Sequence, residues 1–562
     1  MHLDYLLILG VCAESAAFSI NGLISKNVAL SLSHSYSIRG SSHLRSSSIP
    51  SMQYETSTQT KLNSDLNINI QNLIEKVDIF LAGKIGSVEQ EKESIVKRID
   101  EIHAKDLEFC SPFISSKLRK DSKQNSISYE RIYSNEENPH PIAIRTTDVT
   151  QPLLDPYAIH AIRDAAETQW RDKNKSSSRF TYQRKGNYEA HLIDLATNVN
   201  PELLSIVNTA LEDRIYPLVQ DVYSDIIDLE DLSFQIYDSL VIRYNATEAK
   251  LFSNTIGAGQ PLHRDLGIVS VNIMLNEEFE GGGTLLENQL SRNDVVDESV
   301  EPLKPIGAGH AVSHLSSERH AGVGTTDGVR DILVMFLTAT RKNADSKVPS
   351  LERTARLKSM TRKHSLEFGS NHDAILCRIL HHRLATKYTP TDGEAYQYLG
   401  MSLRDYAKIE ENQSHALDIM LLAIRCLLVA FERNPCDGRL SNNIALSYEN
   451  LLSMANKSGK SIDPIEMDSR IVSFYRRAML LHQQCDKIGC DVSFDFDCAT
   501  LNFGLYEANQ DLFVEAINVL ERFESSVSYA TNEERNEQQD RMRNDALGLL
   551  EFCRRTLTNK IR

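Results

Sequence analysis

Residues 263–275 read HRDLGIVSVNIML, a histidine and an aspartate two positions apart followed by an apolar run rich in β-branched residues. In an extended chain successive side chains project to opposite faces, so His263 and Asp265 fall on one side and can grip one cation together, while Arg264 points away. The run Leu266–Leu275 and a second one, Ile332–Thr338 (ILVMFLT), are short and aliphatic, which predicts buried strands rather than helices. Between them, Gly281-Gly282-Gly283-Thr284 permits a tight turn or a close backbone approach. An acidic stretch from Glu287 to Lys304 reads as a rim loop.

A third ligand is expected from a distant strand. His320 would complete a face of two histidines and one carboxylate that leaves three coordination positions open, which suits non-haem Fe(II) that must also take oxygen; zinc favours a closed or nearly closed tetrahedron. His-x-Asp arises often by chance. The pattern gains weight because Gly322 follows His320, and because Arg330, ten residues after His320, opens an apolar strand where a guanidinium can meet a dicarboxylate bidentately. His310 and His314 precede His320 by ten and six residues and offer themselves as alternative distal ligands, but neither has an arginine ten residues later. Both read as strand-edge or loop histidines. His381 and His382 sit in a Leu-rich helical stretch without a carboxylate in register and read as helix surface.

This order of motifs resembles the 2-oxoglutarate- and Fe(II)-dependent dioxygenases, specifically the branch holding collagen prolyl 4-hydroxylases and lysyl hydroxylases. The resemblance spans about Pro139 to Arg341 and is carried by Val241-Ile242-Arg243-Tyr244, His263-Arg264-Asp265, Ser270-Val271-Asn272-Ile273, Phe279-Glu280-Gly281-Gly282-Gly283-Thr284, Gly309, His320-Ala321-Gly322 and Arg330. Position by position it implies iron ligands at His263, Asp265 and His320, Arg330 on the distal carboxylate of 2-oxoglutarate, and Tyr244 and Asn272 beside the co-substrate. An arginine at position 330 resembles the lysyl hydroxylase side, whereas the prolyl enzymes commonly carry lysine. The 18 residues between Tyr244 and His263 make a longer gap than is usual there.

The resemblance further implies Fe(II), 2-oxoglutarate and O2 as the working set, with ascorbate as an iron reductant. The implied reaction is hydroxylation of an unactivated C–H bond, foremost of a peptidyl prolyl or lysyl side chain, with release of succinate and CO2. A small-molecule hydroxylase of the same chemistry and a non-catalytic helical-repeat adaptor are the alternatives. The strand segments around the triad fit an eight-stranded double-stranded β-helix, or jelly roll, closing around the metal, within a multidomain α+β chain.

Helices are expected outside that sheet. Pro156–Asp172 is one, with Ile159, Ile162, Ala165 and Ala166 at helical spacing, and Pro201–Tyr216 is another, stopped by Pro217. Trp170 reads as a packing residue, and Arg179–Arg184 as a strand at the cavity mouth. After Arg341 helical periodicity runs to the end of the sequence, with Gly393, Pro435, Gly459, Pro464 and Gly489 as punctuation. Cys498–Phe523 resembles a tetratricopeptide unit, with Gly504 and Ala516 twelve apart and Phe503 and Leu520 at packing positions, and Tyr396 with Leu399-Gly400 begins similarly. Stacked repeats would offer a concave face to a peptide or a partner protein, which makes this half separable from the co-substrate chemistry. Leu62–Asp121, with Ile70, Leu73, Val77, Phe80 and Leu81 on one stripe, reads as a helical packing arm leading into the sheet.

Composition bounds the rest. At 562 residues the chain is too long for one core, and about 100–200 residues per domain gives roughly three to five units. Its net charge of −16 argues against nucleic acid as the main partner, since phosphate binding wants a basic surface. No uninterrupted apolar run reaches membrane-spanning length. The 9 cysteines, with none between Cys110 and Cys377 and no C-x-x-C pair, argue against a disulfide framework and favour buried thiols at Cys485, Cys490 and Cys498 over zinc. At the N-terminus a short apolar core (Tyr5–Ala13) leads to Ser15-Ala16-Ala17-Phe18. Ser15–Tyr54 then lacks Asp and Glu, and ten of the 21 residues from Ser31 to Ser51 are serine. That resembles a two-part plastid presequence, with secretory and cytoplasmic placement as alternatives. The expected division is 1–54 presequence or disordered tail, 55–138 helical arm, 139–345 dioxygenase jelly roll and 346–562 helical repeat-like domain.

Overall fold

The computed structural model describes residues 69–85, 88–116, 127–133, 141–171, 186–223, 232–252, 258–290, 300–341, 348–368, 372–460, 462–490, 493–525 and 533–561. The presequence expected over 1–54 and the strand expected over Arg179–Arg184 lie outside these residues.

The described strands are all antiparallel and share one hub, β10 (His320–Arg341), which at 22 residues is long enough to serve two sheets. Its C-terminal half pairs with β4 (Leu232–Asn245) on one side and β6 (Val269–Met274) on the other. The major sheet continues from β6 through β9 (Ala311–Leu315), β2 (Ala143–Thr146) and β1 (Tyr129–Ile132), and from β4 to β3 (Asn187–His191). The N-terminal half of β10 pairs instead with β5 (Ala258–His263), β7 (Phe279–Gly281) and β8 (Thr284–Leu286). β10 changes sheets through register shifts between Gly322 and Thr325 and between Thr325 and Asp327, and through Gly328 at φ +74°. The described residues form ten strands where the sequence led us to expect eight. Part of the excess is the split of β7 from β8, where Gly281, Gly282 and Gly283 all take positive φ.

Strand alternation sorts the apolar residues into two layers. Val241 of β4, Val271 and Ile273 of β6 and Leu333, Met335 and Leu337 of β10 pack outward on helices Pro156–Arg171, Glu202–Ala210 and Tyr216–Tyr223, through Ile162, Leu203, Val207 and Val219. Their neighbours Leu240, Ile242, Tyr244, Ile332, Val334 and Phe336 face inward as a separate cluster. With both faces covered, these strands read as continuous apolar runs instead of an alternating pattern. Trp170 packs beside Tyr188 and under the Arg243 guanidinium, 4.7 Å from its ring.

The helix expected to end at Pro217 does not end there. A π-helical turn, Leu211–Ile215, lets the Tyr216 amide bond back to Leu211 O, and this wider turn carries the helical run past Pro217, which has no N–H to donate, to Tyr223.

From Ser350 onward the described residues are helical: Ser350–Phe368, His372–Tyr388, Gly393–Ile409, Gln413–Arg433, Gly438–Ser458, Pro464–Ile488, Ser493–Asn509, Phe513–Leu520, Arg522–Ser525 and Glu533–Ile561. The long helices pack each on the next. Asp392, Asn412, Asp437 and Asp463 cap helix starts with their side chains, and Gly459 and Gly489 close helix ends in the left-handed region. At Gly400 a Cβ would lie 2.7 Å from Leu427 Cγ, and at Gly504 2.6 Å from Leu520 Cδ2, so both glycines mark close helix crossings.

Two expectations change here, and a third observation stands beside them. The helical arm (Ile70–Lys84 and Val88–Phe109) packs chiefly on the C-terminal helices, through Leu73, Val77, Leu81, Ile95 and Ile99 and ion pairs such as Asp78–Arg383 and Asp106–Arg356. His381 and His382 are buried, not on the surface, because their helix is enclosed by neighbours on all sides; His381 Nδ1 lies 2.7 Å from Cys377 O and His382 stacks on Tyr398. The helix Gln413–Arg433 is long and apolar enough to cross a membrane, with mean hydropathy 1.8, although Asp418 and Arg425 interrupt its apolar run; 61% of that window is buried inside the helical layer.

Candidate metal centre

β5 ends on His263 and β10 begins on His320, and the two residues face each other across the ladder. Pairing therefore brings together histidines 57 positions apart (320 minus 263) without help from any loop. Asp265 lies just past the end of β5, held where its N–H donates to Ser316 O at 3.2 Å. The Ser270 hydroxyl, from β6, donates to Asp265 Oδ2 at 2.5 Å. His263 Nε2 is 3.4 Å from Asp265 Oδ1 and His320 Nε2 is 3.5 Å from Asp265 Oδ2, with all three ligand atoms within 4.8 Å of one another. Donors at right angles around one ion, each about 2.1 Å away, would sit about 3 Å apart, so little movement closes the site on a metal. It is the one such histidine, cysteine and carboxylate cluster among the described residues.

The imidazoles are set for ligation by their backbone partners. His263 Nδ1 lies 2.8 Å from Pro261 O and His320 Nδ1 lies 3.0 Å from Glu318 O. A carbonyl can only accept, so each Nδ1 carries the hydrogen and each Nε2 keeps a lone pair turned to the centre. Burial pulls His320 well below the ordinary histidine range, with His314 adding to the effect, which leaves it a free base at neutral pH. Burial pulls His263 down too, but its contact with Asp265 outweighs that and raises it. Burial pushes the Asp265 carboxyl up, yet the surrounding imidazoles, His320 and His263 foremost, outweigh it and hold the carboxyl well below its usual range. His263 keeps 15% side-chain exposure, so solvent reaches the centre from that side.

Beyond the triad, Tyr244 links the centre to Arg330. Its hydroxyl lies 3.6 Å from where a Gly322 Cβ would stand, and Arg330 sits over its ring at 5.4 Å and over the Phe279 ring at 5.9 Å. Arg330 is buried, its Nη1 has no hydrogen-bond partner, and no carboxylate pairs with it among the described residues. Burial lowers its pKa against the opposing effect of Tyr244. A dry, unpaired guanidinium is a standing demand for an anion. Gly282 makes room for it, since a Cβ there would lie 2.9 Å from Arg330 Cδ at a φ of +67°. Gly282→Ala should therefore displace the guanidinium and raise the KM for a dicarboxylate co-substrate about tenfold, while metal affinity, read by Mn(II) titration, stays within twofold.

Asn272, on β6, points to the same interior, its Nδ2 3.5 Å from His314 Nε2. His314, which the sequence offered as an alternative distal ligand and which read as a strand-edge or loop histidine, is buried beside the triad instead. It is fully buried on β9, its ring centroid is 4.1 Å from that of His320, and its Nδ1 lies 3.0 Å from Leu315 O, so its Nε2 also carries an inward lone pair. The alternation within AVSHL was the available signal, because Ser313 bonds outward to Tyr223 and His314 must then face in. His310 lies away from the triad, beside Thr146. A narrow crevice between the sheet and the helices is lined by Arg264, Asp265, Ser316, Lys358 and Glu394.

No family model matches this sequence, and no curated protein matches it. Among solved structures, the chain is similar to a prolyl-4-hydroxylase from Pseudomonas putida, at 16% identity over 37% of this chain and 95% of that one with a TM-score of 0.23. It is similar to a prolyl 4-hydroxylase from Phytophthora capsici at 16% identity over 54% and 88%, with a TM-score of 0.25. A 2OG-Fe(II) oxygenase family oxidoreductase from Burkholderia pseudomallei gives 14% identity over 37% and 88%, with a TM-score of 0.23. Likeness at these scores carries no argument for this chain, whose chemistry rests on the distances within the site.

Proposed function

We propose that this chain is a 2-oxoglutarate- and Fe(II)-dependent dioxygenase that hydroxylates an unactivated C–H bond, with a peptidyl prolyl or lysyl side chain as the substrate class. The observation that carries this reading is the pairing of two unlike demands in one interior: three converging ligand atoms that want a divalent cation, and the orphaned Arg330 that wants an anion. A keto-diacid answers both, by chelating at one end and meeting a guanidinium at the other.

In this reading His263, Asp265 and His320 hold the iron. The bound metal and co-substrate together supply the oxidising power for C–H hydroxylation, releasing succinate and CO2, with ascorbate restoring iron that has become oxidised. The protein's own part is positional. Ser270 fixes the Asp265 carboxylate, the carbonyls of Pro261 and Glu318 fix the two imidazoles, and Tyr244 with Phe279 walls the Arg330 guanidinium from water. Asn272 and His314 line the remaining wall and are placed to orient the near end of the co-substrate. Excluding water matters, because an oxidant formed without a correctly held target attacks its surroundings.

Docking of a protein substrate or partner on the helical half, as tetratricopeptide-like stacking would allow, belongs to the same proposal, as does plastid delivery by residues 1–54. The test is anaerobic addition of Fe(II) and 2-oxoglutarate to the purified chain. A weak visible charge-transfer band, followed by succinate formation on admitting oxygen, is expected. A chain that binds neither would be a helical-repeat adaptor carrying an inert sheet.

A further inference from the structure

The residues next to the metal ligands face the helical half of the molecule. Because side chains alternate along a strand, inward His263 and Asp265 place Leu262 and Arg264 outward, and inward His320 places Arg319 and Ala321 outward. Leu262, Ala321 and Val323 pack against Cys436, Leu481, Cys485 and Cys490 of the helices. Arg264 Nη1 donates to Glu394 Oε1 at 2.6 Å, both side chains nearly inaccessible, and Glu394 also accepts from Lys358 Nζ at 2.8 Å. Arg319, with 3% side-chain exposure, donates to Glu287 of the sheet half, to Asp437 Oδ1 at 3.2 Å and to Asp495 Oδ2 at 3.3 Å. Glu394 and Asp495 lie in the first turns of helices Gly393–Ile409 and Ser493–Asn509, and Asp437 caps Gly438–Ser458. Alternate helices of the array thus turn acidic N-terminal ends toward the two ligand-bearing segments.

We propose that Glu394 and Asp437 are positioning residues that hold Arg264 and Arg319, and through them His263, Asp265 and His320, so that the helical half is a working part of the metal centre. The path is short. Arg264 Nε donates to Ser317 O at 2.8 Å, and the next carbonyl, Glu318 O, is the one that orients the His320 imidazole. Arg319 occupies the single position between Glu318 and His320. Slack in either guanidinium therefore reaches His320 through one or two peptide units. The expectation that the C-terminal helices are a separable docking module is corrected by these contacts: removing them would take Glu394 from the buried Arg264 and Asp437 and Asp495 from the buried Arg319, leaving Arg319 only Glu287.

The inference rests on the metal reading of the triad, and its test keeps the two apart. Mn(II) affinity is measured on the full chain by titration, alongside the melting temperature without metal. Glu394→Gln and Asp437→Asn keep side-chain shape and remove charge; each should weaken Mn(II) binding about tenfold, within the range for outer partners of metal ligands. Leu427→Ala, in a helix packed between its helical neighbours, should lower the melting temperature while leaving Mn(II) affinity within twofold. Glu394→Asp, which restores the charge, should recover part of the loss and serves as the second variant should Glu394→Gln fold poorly. Parental Mn(II) affinity in folded Glu394→Gln and Asp437→Asn would overturn the inference, as would an equal loss in Leu427→Ala. Absence of Mn(II) binding by the parent would instead sink the metal reading itself.

Discussion

Asp265→Ala should abolish 2-oxoglutarate-dependent succinate formation and weaken Mn(II) or Fe(II) binding by more than about 100-fold, since even outer partners of metal ligands are worth about 10–100-fold. The substitution leaves two imidazole nitrogens and removes the one anionic donor of the centre. Its effect on stability should be modest. The imidazoles around the carboxylate outweigh the burial that opposes its charge, so some stability is lost with it, while the hydroxyl left on Ser270 retains Ser316 Oγ at 3.2 Å. A metal-free melting temperature within a few degrees of the parent, together with lost metal binding, would mark Asp265 as a ligand. Normal turnover by the variant would refute the assignment.

Arg330→Met should act in opposite directions on binding and on stability. Truncating one partner of a buried charge pair costs about 2–5 kcal/mol, so half-saturation by 2-oxoglutarate should rise about 30-fold or more. In the ligand-free protein the same change removes a buried cation that has no anionic partner among the described residues, and methionine fills similar volume with an apolar chain. The melting temperature without co-substrate should therefore rise, and the increment that 2-oxoglutarate adds to it should shrink. Calorimetry with and without the co-substrate checks both signs at once. A variant that loses stability yet binds 2-oxoglutarate normally would assign Arg330 to packing. Arg330→Lys keeps the charge but not the planar fork and should fall between the two.

The nearness of His263 and Asp265 was legible in the sequence because the signal that places them is local. A period of two puts His263 and Asp265 on one side, and the glycines around them mark where backbone must turn or approach closely. Tyr244, Asn272 and Arg330 were singled out by motif order; in the structure Arg330 lies over the Tyr244 ring, and Asn272 lies beside His314. His314, weighed as an alternative ligand, read as a strand-edge or loop histidine because what makes it notable is a ring on another strand, and its own five-residue strand has no further signature. Arg264 was read correctly as pointing away, but the carboxylate it meets lies 130 positions later. The burial of His381 and His382 was hidden for the converse reason. An enclosed helix has no polar face to contrast with an apolar one, so periodicity says nothing about which residues it hides.

The path of β10 has a last consequence. His320 and Arg330 sit on the same strand, and ten residues drawn straight would part them by about 33 Å, several times the length of any small diacid. The strand instead bends through the irregular stretch from Gly322 to Gly328, where it passes from one sheet to the other, and Arg330 beyond the bend lies over the Tyr244 ring. Backbone irregularity, not side-chain identity, thus works as a gauge of molecular length. Inserting or deleting a residue within that bend would leave both anchors intact while retuning how many carbons fit between them.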